Sequence, residues 1–201
     1  MTDIDADICS TPIKTHTRIL QCALELIKKY GYNKVTIPCI CKAAGITKSA
    51  FYYHYHSKDD LIGDFIDQLG YSVKDSYSQI LLQETYIKQI FAIFNILFEG
   101  NIAAGPAIVK QVFISYLNTG NHLYFPRSAA SWDIIVKLLG KAQEAGQIKN
   151  DSAPEDIAES AFELLRGVLV TWAIENGRFD LEGISNRILV TLLLPTEGYE
   201  L

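Results

Sequence analysis

At 201 residues and 49% hydrophobic content, the chain has enough apolar mass for one or two compact cores without disulfide or metal staples. Its longest apolar stretch, Ile90 to Phe98, already contains Asn95 and falls short of the roughly 20 residues a bilayer span needs, and Asp3, Asp5 and Asp7 are the opposite of a secretory opening, so no membrane partner and a cytoplasmic location are expected. The net charge of −5 argues against a nucleic-acid partner only until the charges are placed: between Ile13 and Lys58, Lys14, Arg18, Lys28, Lys29, Lys34, Lys42, Lys48 and Lys58 are opposed by Glu25 alone, so a basic head suited to a polyanion precedes an acidic body.

Thr11 and Pro12 have the chemistry of a helix start, a hydroxyl cap followed by a residue with no amide to satisfy. Ile19, Leu20, Ala23, Leu24 and Ile27 then recur at helical spacing up to Gly31, where a left-handed cap is expected. Thr36 caps a second helix that tolerates Pro38 in its first turn and runs through Ala43. Gly45 supplies a tight turn, Thr47 caps a third short helix to about Tyr53, and Ser57 caps a long fourth with Asp59 and Asp60 in its favourable first turn. Ile87, Ile90, Phe91, Ile93, Phe94, Leu97 and Phe98 cover nearly the whole girth of a helix, which predicts a central position. Gly100 to Pro106 and Gly120 to Pro126 read as connections, with a helix between them and another from about Arg127 to Ala145. Two more run from Pro154 to about Asn176 and from Asp180 to before Pro195. No strand pattern and no internal repeat is visible, so the fold class is all-α.

The stretch from Gly31 to Leu61 has the parts of a helix-turn-helix, a short helix, a glycine turn and a second short helix. Gly31-Tyr32, Thr36-Ile37, Ile40, Ala44-Gly45-Ile46-Thr47, Tyr52, His54-Tyr55, Ser57-Lys58 and Leu61 keep the spacing of one family signature: the segment resembles the tetracycline-repressor (TetR) family. That resemblance implies a flexible arm at 1–12, a DNA-binding head at 13–60, and a helical ligand-sensing and dimerisation body at 61–201. It implies a double-stranded DNA operator and a homodimer as partners. Thr47 and the exposed first turn at Lys48, Ser49 and Ala50 are then the groups that meet DNA bases, where lysine can donate to guanine and alanine can meet a thymine methyl. Thr36, Tyr52, Tyr53, His54 and Lys58 fall where relatives touch phosphates. Ser49 where many relatives have glycine, Cys41 where alanine is usual and Val35 where threonine is frequent depart from the pattern and bear on operator sequence.

In the body, Phe91, Phe94, Phe98, Phe113, Tyr116, Trp132, Phe162 and Trp172 supply aromatics for a mainly apolar effector pocket, with Asn95 as its polar tip. For any one of these aromatics ordinary core packing is the competing account. The last two helices carry more apolar residues than one side needs, and Leu165, Leu169, Ile184, Ile188 and Leu192 are the expected dimer surface. Gly63 and Gly70 mark places where the long fourth helix can bend or pack closely as it carries an effector signal to the head.

Four cysteines do not make a secreted framework, and Cys39 and Cys41 would point to nearly opposite sides of a helix, so reduced thiols and no metal or cofactor are expected. The function expected is a ligand-responsive, sequence-specific transcriptional regulator, a repressor that leaves its operator when a small apolar or aromatic effector binds. Competing readings are an activator of the same fold, or an all-helical ligand carrier or enzyme. The last lacks any metal-ligand cluster, nucleophile elbow or phosphate loop in the sequence.

Overall fold

The computed structural model describes residues 14–119 and 130–199. Within these residues the chain is all-α, with a single isolated bridge between Ile148 and Pro195. Three short-to-medium helices come first: α1 (Thr15–Tyr30), α2 (Ile37–Ala44) and α3 (Lys48–His54), with a 3-10 turn at Tyr32–Lys34 between the first two. The linking helix α4 (Lys58–Asp75) follows, then α5 (Tyr77–Leu81), α6 (Tyr86–Ala104), α7 (Pro106–Thr119), α8 (Ala130–Glu144), α9 (Pro154–Ile174) and α10 (Leu181–Leu193).

Helix α6 is central, lying against α4, α7, α8 and α10. Its seven apolar positions singled out above are all buried. At roughly 1.5–3 kcal/mol for each fully buried Phe, Ile or Leu, that burial outweighs a helix cap worth about 1 kcal/mol, so α6 organises the body through packing. By length and hydropathy this 19-residue helix is apolar enough to cross a membrane, more than the sequence suggested, but 56% of the qualifying window is buried inside the bundle, as befits a core helix. Both its ends are met by side chains from elsewhere. Buried Gln147 accepts the Ile87 amide at 3.0 Å, and Lys28 of α1 donates to the Ala103 carbonyl at 3.0 Å.

Several expectations are corrected. The Thr11-Pro12 start, the Gly120 to Pro126 connection and the Arg127 start lie outside the described residues; α1 is described from Thr15, with Lys14 giving no side-chain cap. Gly31 does need a positive φ, +82°, but its ψ of 151° makes it extended and not a left-handed cap. The segment from Gly100 is not a connection. Helix α6 continues through it to Ala104, because a Cβ at Gly100 would lie 2.3 Å from Leu69 Cδ2: glycine here lets α4 and α6 cross closely. Gly63, by contrast, faces open space, so close packing does not explain it. Helix α5 was not foreseen.

Candidate nucleic-acid interface

The turn between α2 and α3 is built by neighbours. Thr36 caps α2 by accepting the Cys39 amide at 3.4 Å, and Thr47 caps α3 by accepting the Ala50 amide at 3.1 Å. Between them Gly45 adopts a left-handed conformation, φ 63° and ψ 39°, that an L side chain resists. Phe51, fully buried, and Tyr55, 3% exposed, anchor α3 to the head's core with Ile40 and Ala44. The opposite side of α3 is left to solvent. Lys48 and Ser49 are exposed, Tyr52 is 50% and Tyr53 85% exposed, while Ala50 is half-buried. Two adjacent large aromatics in water, beside a lysine and two exposed threonines, are not core residues.

Other side chains hold this unit to α4. Lys58 donates to the carbonyls of Tyr32 at 2.7 Å and Val35 at 2.9 Å, and its ammonium lies 3.8 Å from the centre of the Tyr32 ring. Burial pulls its pKa down, with Asp59 opposing. The Tyr32 hydroxyl donates to Asp59, and burial followed by that carboxylate raises the phenol's pKa. Lys58 was expected to neutralise a phosphate directly; the structure instead shows a clamp between the start of α4 and the α1–α2 link, and a phosphate would have to compete with both carbonyls. His54 was also expected at a phosphate. It is half-buried, with its ring 5.8 Å from that of His16. His16 stacks on Tyr55 at 4.9 Å and lies 3.6 Å from Asp64, to which the Tyr55 hydroxyl donates at 2.6 Å. The contacts of Tyr32, Asp59, His16 and Asp64 escaped the sequence reading because they join residues well separated along the chain.

In the body, the aromatics nominated for a pocket are not all in one line of contacts. Phe98, Phe94, Phe162 and Trp132 form one chain of ring contacts at 6.4, 5.3 and 5.7 Å. Phe113 and Tyr116 pair on α7 at 6.2 Å. Trp172 lies under the turn at Gly177, beside Pro106, and Phe91 is buried on α6. Asn95 places its side-chain oxygen in the interior without a hydrogen bond. Among the described residues no group of three or more His, Cys, Asp or Glu is placed to hold a metal ion; Cys41 is buried, which raises its thiol pKa, and Cys39 is half-buried.

Residues 19–64, the span of this head, match the family model described as bacterial regulatory proteins, tetR family. This head is of the tetR family. The chain is similar to the HTH-type transcriptional regulator UidR of Escherichia coli, 37% identical over 54 residues, which are 27% of this chain and 28% of that one. Over nearly its full length it is similar to the fatty acid metabolism regulator protein of Bacillus subtilis, 22% identical over 183 residues, 89% of this chain and 93% of that protein. Among solved structures, Thermus thermophilus FadR, a tetR-family transcriptional repressor in complex with lauroyl-CoA, aligns with a TM-score of 0.59 at 23% identity, covering 92% of this chain and 98% of that one.

The surface on the last two helices also differs from expectation. Leu165 and Leu169 are each 1% exposed, buried against their own chain, and cannot face a partner. The outward register is one position earlier: Leu164 is 48% exposed and lines an open apolar groove of 450 Å³ with Ile184, Arg187, Ile188, Thr191 and Leu192. Helical residues one apart differ by about 100°, enough to exchange core for surface.

Proposed function

We propose that this chain acts as a homodimer on a double-stranded operator and represses transcription until a small, largely apolar effector releases it. Residues 13–60 are the reading head and 61–201 the sensing and dimerising body. The observation that carries the DNA half is the solvent-facing row Lys48, Ser49, Tyr52 and Tyr53, held rigid by the Thr47 cap and the Gly45 turn. Lysine and serine supply donors for base edges, the tyrosines and Thr36 supply hydroxyls for phosphates, and so short a helix reads enough sequence only as one of a pair. The groove at Leu164, Ile184 and Ile188 supports pairing through α9 and α10.

The Phe98, Phe94, Phe162 and Trp132 rings touch in series, so an effector among them has to part these rings, and the unbonded oxygen of Asn95 favours one that brings a hydrogen-bond donor. Strain there reaches the head through α4, which touches α6, α7 and α8 in the body and α1 in the head. Because the T. thermophilus relative holds lauroyl-CoA, fatty acyl-CoAs are the first compounds to titrate. The test has two stages. Selection from a random duplex pool should enrich a two-fold site whose affinity falls steeply with salt; no enrichment overturns the DNA half. Effector affinity measured with and without that site should differ by the same factor as operator affinity with and without effector. Equal effector affinities would show that pocket and head are uncoupled.

A further inference from the structure

A cleft of 610 Å³ separates the head from the body, walled by α1 on one side and by α4 and α6 on the other. It is a separate place from the aromatic stack, none of whose rings lines it. Its floor is apolar, with Leu24, Phe65, Leu69 and Ile96. At its mouth stand two exposed carboxylates, Glu25 from the head and Glu99 from the body. Glu25 is the sole acid between Ile13 and Lys58, and it lies on this side of the head and not on the α3 surface.

Among the described residues, the charged side chains that line the cleft are two carboxylates and one cation, Lys28. Neither carboxylate has an ion pair among the described residues. Lys28, one turn after Glu25, sends its ammonium to the Ala103 carbonyl at 3.0 Å. Ala103 and Ala104 also line the cleft, and they close α6, where the last carbonyls of a helix carry partial negative charge. A volume of this size lies within the range of about 300–1,000 Å³ typical of small-molecule sites. An apolar floor selects an apolar body, and with the Lys28 ammonium already held by the Ala103 carbonyl, the two carboxylates leave an excess of negative charge that selects a cation.

We propose that this head–body cleft is a binding site for an amphipathic monocation, with its apolar part on Leu24, Phe65, Leu69 and Ile96 and its charge between Glu25 and Glu99. An occupant there touches α1, α4 and α6 at once, so it joins the two regions by a route independent of the aromatic stack.

The probe is decyltrimethylammonium, kept below its micelle concentration and titrated calorimetrically into the full-length protein. One site per chain is expected, and decyl maltoside, with the same tail and no charge, should bind at least tenfold more weakly. Glu25→Gln with Glu99→Gln should lower the affinity for the cation at least tenfold; both residues are exposed, so the fold is retained. Glu155→Gln with Glu182→Gln removes the same net charge at exposed positions outside the cleft and should change affinity less than twofold. Gln68→Trp, at an exposed lining position, gives a second readout, a fluorescence shift on adding the cation. Equal losses in the two double variants, equal binding of the neutral probe, or no binding at all would overturn the proposal.

Discussion

In the head, Tyr52 and Tyr53 hold their rings in solvent, 50% and 85% exposed; in the body, Phe94 and Phe98 are 1% and 2% exposed and touch one another and Phe162. The same residue class thus serves two ends. Head aromatics are presented, already in place for a partner, by caps and a turn that act within three residues. Body aromatics are the core itself, and any ligand must exchange one set of contacts for another. A presenting surface needs particular groups at particular places, whereas a core tolerates other apolar residues if volume and pattern are kept.

The largest effect expected sharpens that contrast inside the body, at two adjacent leucines. Leu165→Ala empties a fully enclosed site and should cost about 2–5 kcal/mol of stability in urea unfolding. Leu164→Asp should leave the fold of each chain intact and abolish self-association measured by light scattering, because it places a charge in the apolar groove. If Leu164→Asp stays dimeric while Leu165→Ala dissociates without loss of chain stability, the register described above is wrong.

Two lysines of the head make the next test, with a smaller effect. Lys48 is exposed at the start of α3, so Lys48→Ala should cost about 1–3 kcal/mol on the selected operator and change stability by less than about 0.5 kcal/mol. Lys58→Met should do the reverse, removing about 1–2 kcal/mol of stability because its two carbonyl bonds are only partly buried, with the salt dependence of DNA binding nearly unchanged. A full unit lost from the salt slope in Lys58→Met would return it to the phosphate contacts.

What was legible in the sequence follows the range of each interaction. The Thr36 and Thr47 caps and the Gly45 turn depend on residues three or fewer positions away, and each stands where the sequence put it. The burial of α6 was legible because its apolar residues surround the helix and no register choice remains. Register on α9 was not legible, since Leu164, Leu165, Val168 and Leu169 are all apolar and only the positions of α7, α8 and α10 decide which of them faces out. Gly100 looked like a breaker because its reason for being there, Leu69, lies on another helix. The clamp between Lys58 and Tyr32 was not legible for the same cause, as the contact joins residues 26 positions apart.

The smallest expected effect concerns how the two regions begin their long helices. Helix α9 of the body starts at Ala153 and Pro154 with no side-chain cap. Helix α4 starts with a reciprocal pair: Asp60 donates its amide to the Ser57 hydroxyl at 3.2 Å, and its carboxylate accepts the Ser57 hydroxyl at 2.6 Å and the amides of His56 at 2.8 Å and Ser57 at 3.3 Å. Burial works against the charge of this carboxylate, but those hydrogen bonds outweigh it and hold its pKa below the ordinary value of about 3.9. A carboxylate whose pKa is lower folded than unfolded binds more protons unfolded. Its stabilisation is therefore complete above about pH 4 and is lost as pH falls through the lower, folded value. Asp60→Asn keeps the shape and removes the charge, and should cost about 0.5–1 kcal/mol at pH 7, the lower end of the capping range because the site is partly open to solvent. Urea unfolding of both proteins from pH 7 downward should show this difference constant to about pH 4 and then shrinking. A difference that persists undiminished at pH 2 would mean that Asp60 acts through shape alone, and that the head's entry helix is no more acid-dependent than the uncapped α9 of the body.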